Sequence, residues 1–233
     1  RKDSGPKSPA YNLFRATPPP MQDPNPCAGG IKRVALIRHG QGYHNWSHSF
    51  TALYHLLTQK DTALTPVGQG QAQALRKAIT ADAQHPLHGV EVVISSPLSR
   101  AIETTLLAFG DADTPRRCLS PLAAERCICR CDYGRTPREL AADFPLVAGW
   151  EGFEGLQDVW WGKERSFSQE FRPMDRVEEF KRMLLGRKEQ NIAVVGHGGF
   201  FECFSGVHLG NCGIVWVELN TADGSVRTLE GRP

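Results

Sequence analysis

Two arginines and two histidines stand where short apolar runs stop. Arg38-His39-Gly40 follows Val34, Ala35, Leu36 and Ile37. Ser95-Ser96-Pro97-Leu98-Ser99-Arg100 follows a run ending at Ile94, and Gly196-His197-Gly198-Gly199 follows one ending at Val195. Arginine presents a planar fork of donors that matches phosphate oxygens, and it keeps its charge at any physiological pH. A neutral imidazole held in line can attack phosphorus. A second, protonated imidazole can neutralise charge on the equatorial oxygens. A helix N-terminus adds backbone donors for an anion, and the amide of Asn45 can donate to the same group. The residue types therefore suit a phosphoryl substrate. Its leaving oxygen needs a proton, which a carboxylic acid kept protonated by burial can supply. Glu125, in Pro121-Leu122-Ala123-Ala124-Glu125-Arg126, is the best-placed acid of the irregular middle of the chain, although spacing alone does not put it in the site.

For these groups to meet, the carboxyl ends of the strands must share one edge. Residues 34–37, 90–94, 192–195 and 214–219 read as buried strands. A turn at Asp223-Gly224 leads to a last short strand over 226–229. Thr65-Pro66 pairs a capping residue with proline at the first helical position, ahead of a helix with Ala72, Leu75 and Ile79 on one face. Ser96-Pro97 repeats that signal before a helix that buries Leu98, Ala101, Ile102, Thr105, Leu106 and Phe109, which places Arg100 in its first turn. Thr136-Pro137-Arg138-Glu139 is a capping box, and residues 175–185 carry Val177, Phe180 and Leu184 inward. Strands alternating with helices predict an α/β domain with a mostly parallel central sheet. In such sheets ligands bind at the carboxyl ends of the strands.

The rest of the chain frames this domain. Residues 1–30, with Pro18-Pro19-Pro20, Pro24 and Pro26, read as a Pro-rich arm, leaving 31–233 as the domain. The connection 41–64 is long and dense in aromatics and histidine, as functional connections often are; a local helix packing an aromatic face on the core is the alternative. Residues 118–145 look irregular, and 146–173 look like a loop-rich insertion carrying Trp150, Trp160 and Trp161. Substrate specificity is expected in 41–64 and 146–173.

Composition excludes several classes. A net charge of +2 over 233 residues gives no broad field for nucleic acid or a membrane. No apolar run reaches membrane-spanning length and no signal peptide is visible. The chain begins with Arg1 rather than Met, as a fragment or processed form does. The expected compartment is the cytoplasm, or an organelle should a targeting segment have been removed. Seven scattered cysteines, an odd count, do not make a secreted disulfide framework. Cys127-x-Cys129-x-Cys131 is too tight for zinc spacing, so free thiols, no metal and no cofactor are expected.

Taken together, these motifs resemble the histidine phosphatase superfamily, also called the phosphoglycerate mutase-like family. Arg38-His39-Gly40 with Asn45 after four intervening residues is its marker. Ser96-Pro97-Leu98-Ser99-Arg100-Ala101 with Glu103-Thr104 is similar to its second phosphate-binding arginine and helix, and Gly196-His197-Gly198-Gly199 to its second catalytic histidine. The resemblance runs from about Ile31 to the last strands. It implies a three-layer α/β/α sandwich, with His39 as a nucleophile that forms a phosphohistidine. It further implies that Arg38, Arg100, His197, Asn45 and Gly198 surround the phosphoryl group, and that Glu125 is the general acid and later the base that activates water. The run Arg38 to Asn45, with Cys131-Asp132-x-Gly134 and Phe144-Pro145, resembles a eukaryotic branch of the family. Arg126-Cys127-Ile128-Cys129 stands where true mutases carry an Arg-His-Tyr-Gly-like grip on glycerate, and Gly198 follows His197 where phytases and acid phosphatases often carry Asp. The expectation is a metal-independent phosphomonoesterase acting on a small phosphorylated metabolite. The alternatives are a non-catalytic phospho-ligand binder on the same fold and phosphoglycerate mutase. A small-molecule phosphorylated substrate is the expected partner; nucleic acid and membrane are not, and a homodimer stays open.

Overall fold

The computed structural model describes residues 30–46, 50–110, 115–161 and 173–229, with backbone alone for 50–52. The Pro-rich arm, Cys27 and the latter part of the 146–173 stretch lie outside them. The first strand, β1 (Ile31–Arg38), sets the plan. Its residues alternate sides: Val34 and Leu36 enter one core, Ala35 and Ile37 another. A strand apolar on both faces must lie inside a sheet with a layer on each side. Its partners are β2 (Val92–Ser95), β3 (Arg116–Leu119), β4 (Asn191–Gly196), β5 (Ile214–Asn220) and β6 (Val226–Leu229). The six-stranded sheet has the order β3-β2-β4-β1-β5-β6. The first four of that order run parallel, and β5 and β6 run antiparallel to their neighbours.

The helices are α1 (Phe50–Thr58), α2 (Pro66–Ala81), α3 (Ser99–Phe109), α4 (Pro137–Asp143), α5 (Met174–Gly186) and α6 (Gly198–Ser205). Leu75 and Ile79 of α2 with Ala101 and Ala108 of α3 cover the face bearing Ala35, Ile37 and Val93. Val177, Phe180 and Leu184 of α5 with Phe200, Phe201 and Phe204 of α6 cover the face bearing Val34, Leu36 and Val194. The three-layer α/β/α sandwich with a mostly parallel sheet is therefore the observed architecture; the buried faces of α2 and α5 include the residues the spacing predicted, whereas on α3 Leu106 and Phe109 are only partly buried and Thr104 and Ala108 are buried instead. The Thr65 hydroxyl caps α2 by accepting the Gly68 N–H at 3.1 Å. Thr136 and Glu139 form the expected capping box on α4.

Register brings the strand ends level. Arg38 pairs with Gly196 and Ser95 with Val195, so His39, Ser96 and His197 emerge together at one edge. Two local expectations are corrected. Ser96 does not cap α3, which starts at Ser99. A carboxylate from elsewhere in the chain does that work: Asp61 accepts the Ser99 N–H at 2.8 Å and the Ser99 hydroxyl at 2.7 Å. Residues 118–145 are not irregular throughout, because Arg116–Leu119 is an edge strand. Two arginines hid it, and Arg117 spends its charge on the Phe109 and Gly110 carbonyls. The cysteine run enters a 3-10 turn at Arg130–Asp132, and no disulfide joins its thiols. Among the described residues, no helix is long and apolar enough to cross a membrane.

Candidate active site

His39 is the first residue beyond β1. Its N–H donates to the Gly196 carbonyl at 2.9 Å and its own carbonyl accepts from the Asn211 amide at 3.1 Å, so the backbone is pinned on both sides. The imidazole is 1% exposed, and Nδ1 lies 2.6 Å from the Gly40 carbonyl. A carbonyl only accepts, so Nδ1 carries the proton and Nε2 keeps its lone pair. Burial first, then the charges of Arg100 and Arg38 with His44 nearby, hold this ring well below the ordinary histidine pKa. It is neutral. The Gly40 N–H donates to the Thr104 hydroxyl at 3.0 Å, and that hydroxyl donates to the Arg100 carbonyl at 2.7 Å. One helix turn thus grips the peptide that follows His39 and carries Arg100. Gly40 and Gly68 meet backbone to backbone: a Cβ on Gly40 would lie 2.5 Å from the Gly68 carbonyl oxygen, and one on Gly68 would lie 2.1 Å from that of Gln41.

Around His39 lie the other predicted groups. Arg100 is fully buried, its guanidinium clamped by the Cys131 carbonyl at 2.8 Å and the Asp132 carboxylate at 2.9 Å. Arg38 donates to the Leu209 carbonyl at 2.6 Å. The His197 ring centre is 5.1 Å from that of His39, and its Nε2 lies 2.8 Å from the Ser96 hydroxyl. Burial and the Arg100 charge hold His197 well below its ordinary pKa as well, which favours the neutral ring. The Nε nitrogens of Arg38 and Arg100 and the Nδ1 of His197 are buried without hydrogen-bond partners. Buried donors left unspent are costly and rare; three of them around one neutral imidazole suit an anion with several acceptor oxygens. If the Ser96 hydroxyl donates to Nε2, the proton of His197 sits on Nδ1, the nitrogen without a partner. Gly198 opens α6, and a Cβ there would press within 3.1 Å of the Arg38 Nε.

Glu125 joins this group from the segment after β3. Its carboxylate accepts the Arg126 N–H at 2.9 Å and the Gly199 N–H at 3.1 Å. A Cβ on Gly199 would lie 2.8 Å from that carboxylate, so glycine is what lets it reach the amino end of α6. Burial, then the neighbouring Asp132 charge, raise its pKa. Arg176 of α5 holds this segment by donating to the Ala124 carbonyl at 2.9 Å and the Glu125 carbonyl at 3.2 Å. Asn45 turns partly inward on itself: its side-chain oxygen accepts the Gly42 N–H at 2.8 Å, and its NH2 reaches Asn211 at 3.4 Å. It reaches the His39 carbonyl through Asn211. His44 lies with its ring centre 5.4 Å from that of His39 and its Nδ1 2.9 Å from the Thr62 hydroxyl. Burial first, with Arg100 and Arg38, drives its pKa down to about 2. Trp160 packs on Gly134 and donates to the Arg135 carbonyl at 2.8 Å, a packing role. Sequence reasoning missed Ser96, Asp61, Asn211, Arg176 and Gly199. Only Ser96 and Gly199 lay inside motifs already marked. Among the described residues, no group of three or more His, Cys, Asp or Glu is placed to hold a metal ion.

Comparisons with known proteins give the family and the fold. The model of the histidine phosphatase superfamily (branch 1) matches residues 34–231. A phosphoglycerate mutase-like protein of Arabidopsis thaliana is 31% identical over 200 residues, covering 73% of this chain and 72% of that protein. Among solved structures, an alpha-ribazole-5′-P phosphatase of Escherichia coli superposes with a TM-score of 0.53 at 22% identity, covering 86% of this chain and 97% of that one. A phosphoserine phosphatase of Entamoeba histolytica in complex with phosphoserine superposes with a TM-score of 0.51 at 20% identity, covering 85% and 95%.

Proposed function

The chain belongs to the histidine phosphatase superfamily, branch 1, and from that premise we propose that it is a phosphomonoesterase that hydrolyses a small phosphorylated metabolite through a phosphohistidine on His39, residues 31–233 forming the catalytic unit. The observation that carries the reading is the His39 imidazole: neutral, with Nδ1 bonded to Gly40 and Nε2 free, beside unspent donors of Arg38, Arg100 and His197. Nε2 attacks phosphorus, and the bond from phosphorus to the ester oxygen breaks. Glu125, whose raised pKa favours its acid form, gives its proton to the departing alkoxide. The same carboxylate then takes a proton from water, which attacks the phosphohistidine and releases phosphate and a neutral His39. Arg38, Arg100, the Nδ1–H of His197 and the remaining N–H of Asn45 bind the phosphoryl oxygens, with Gly198 leaving Arg38 room to do so. Solved relatives whose descriptions name phosphoserine and ribazole phosphate act on or bind small phosphate esters, which supports that substrate size. Arg126-Cys127-Ile128-Cys129 in place of a glycerate grip weighs against the mutase.

The test is rapid quenching during turnover of an aryl phosphate. An acid-labile phosphoenzyme is expected, together with its loss and at least a 10³-fold fall in kcat in His39→Ala, the scale on which removing a nucleophile acts. Labelling and hydrolysis that persist in the variant would refute the assignment. A stoichiometric complex with inorganic phosphate but no turnover would indicate the binding-protein alternative.

A further inference from the structure

Beyond the phosphate, the wall beside the nucleophile is aromatic and uncharged. From Gln41 through Gln59 the sequence contains no Asp, Glu, Lys or Arg. This stretch leaves β1 directly at His39-Gly40, and its first turn, Tyr43–Asn45, carries His44 against the nucleophile. Helix α1 then packs between that turn and the Arg130–Asp132 turn whose Asp132 clamps Arg100. The helix therefore lies against both ends of the phosphate cradle. Tyr43 and Trp46 meet edge to face with centres 6.1 Å apart; Tyr43 stacks obliquely on His55 at 5.2 Å, and Tyr54 meets His55 edge on at 5.7 Å. Trp46 is 44% and Tyr54 56% exposed, and Leu53 and Leu57 beside them are also exposed. Two described cations at the far end of this stretch have partners of their own. Lys60 sits 4.6 Å from the Trp161 ring centre and 3.9 Å from Glu139, and Arg130 donates to the Thr58 carbonyl.

We propose that the leaving group of the substrate is a neutral, predominantly apolar alcohol with an aromatic ring or a hydrocarbon body of similar size, and that it lies against Tyr43, Trp46 and the Tyr54 end of α1. This rests on the phosphomonoesterase reading and specifies its substrate class. Among the described residues, neither Tyr43–Asn45 nor α1 supplies a cation to a second phosphate, a carboxylate or a nucleotide's charges, whereas an apolar body gains by covering exposed aromatic surface. The amphipathic edges of Tyr and His still allow one hydroxyl or ether oxygen on such a molecule.

Three primary-alcohol esters make the test, because their leaving groups are chemically alike: ethyl phosphate, 2-(2-naphthyl)ethyl phosphate and glucose 6-phosphate. The naphthyl ester is expected to exceed ethyl phosphate in kcat/KM by roughly tenfold to a hundredfold, mostly through KM, as burial of an aromatic body allows. Glucose 6-phosphate is expected to gain nothing. Trp46→Ser and Tyr54→Ser, both at exposed positions that the fold tolerates, should each shrink the naphthyl-to-ethyl ratio severalfold. A wild-type ratio within twofold of one, a ratio unchanged in both variants, or a preference for glucose 6-phosphate would overturn the inference while the phosphatase reading stands. No phosphoenzyme and no hydrolysis with any ester would overturn both.

Discussion

A buried imidazole spends its single proton on the next peptide's carbonyl, and much of the chemistry follows from that. In the proposed mechanism His39 needs no base to free Nε2, because the Gly40 carbonyl has fixed the tautomer and burial, with two arginines, suppresses protonation. His197 depends instead on a neighbour, the Ser96 hydroxyl. Ser96→Ala removes that hydrogen bond and lets the ring choose the wrong tautomer. A loss of roughly tenfold in kcat is expected, the worth of about one good hydrogen bond, and steady-state kinetics on one ester will read it. Glu125 must be protonated to act and His39 must be neutral. Activity towards alkyl esters is therefore expected to fall as pH rises through the raised Glu125 pKa, and on the acid side only well below the ordinary histidine range. Glu125→Gln should abolish the alkaline limb and lower kcat by about 10² to 10⁴, with less loss for aryl phosphates, whose leaving groups need no proton. A pH–rate profile of wild type and variant decides it.

At the scale of elements, the site is an edge where a strand, two helix starts and a short turn meet. The segment leaving β1 meets α2 backbone to backbone. Gly68→Ala would drive a Cβ to 2.1 Å from the Gln41 carbonyl oxygen, and backbone cannot rotate away as a side chain can. A destabilisation of about 3 kcal/mol is expected, the upper part of the overpacking range, measured as a lowered urea midpoint. Activity should fall too, because Gln41 is two residues from His39. Much of this edge was legible in the sequence. Each strand end announced itself as an abrupt change from β-branched residues to Arg, His, Gly or Ser, and Arg100 fell in the first turn as its spacing required. What was not legible depends on partners distant in the chain. Asp61 caps α3 from 38 residues away, so Ser96 looked like the cap and its bond to His197 went unseen. Asp132 and the Cys131 carbonyl hold Arg100 from a turn that sequence alone reads as loop. Arg176 looks like an ordinary charged helix residue until it is found on the Glu125 backbone. The strand Arg116–Leu119 is too short and too basic to show a period.

The whole molecule carries a pH signature. His39, His44 and His197 are all held neutral in the fold, below their ordinary pKa, while the unfolded chain takes up their protons near pH 6.5. Their contribution to stability is complete above that pH and declines as pH falls below it, since the unfolded state then binds more protons. Asp61, Glu103 and Glu125 are raised by burial and act in the opposite sense, favouring the fold as pH falls through their raised values. A variant separates the two. His44→Phe lacks one such imidazole, so between pH 7.5 and 5.5 wild type should lose up to about 1 kcal/mol more than the variant. Urea denaturation at both pH values reads the difference. Equal losses would mean that His44 protonates freely in the folded protein.

The strand that leads into His39 is hydrogen-bonded along its length to β4 on one side and β5 on the other. Its amides will exchange with solvent last, whereas α1, with Leu53, Tyr54 and Leu57 turned to water, belongs to a layer that opens at lower cost. The two halves of the site therefore differ in cooperativity. Under mild denaturant the molecule should become indiscriminate before it becomes inert, still taking phosphoryl groups onto His39 after it has stopped choosing among the alcohols that carry them.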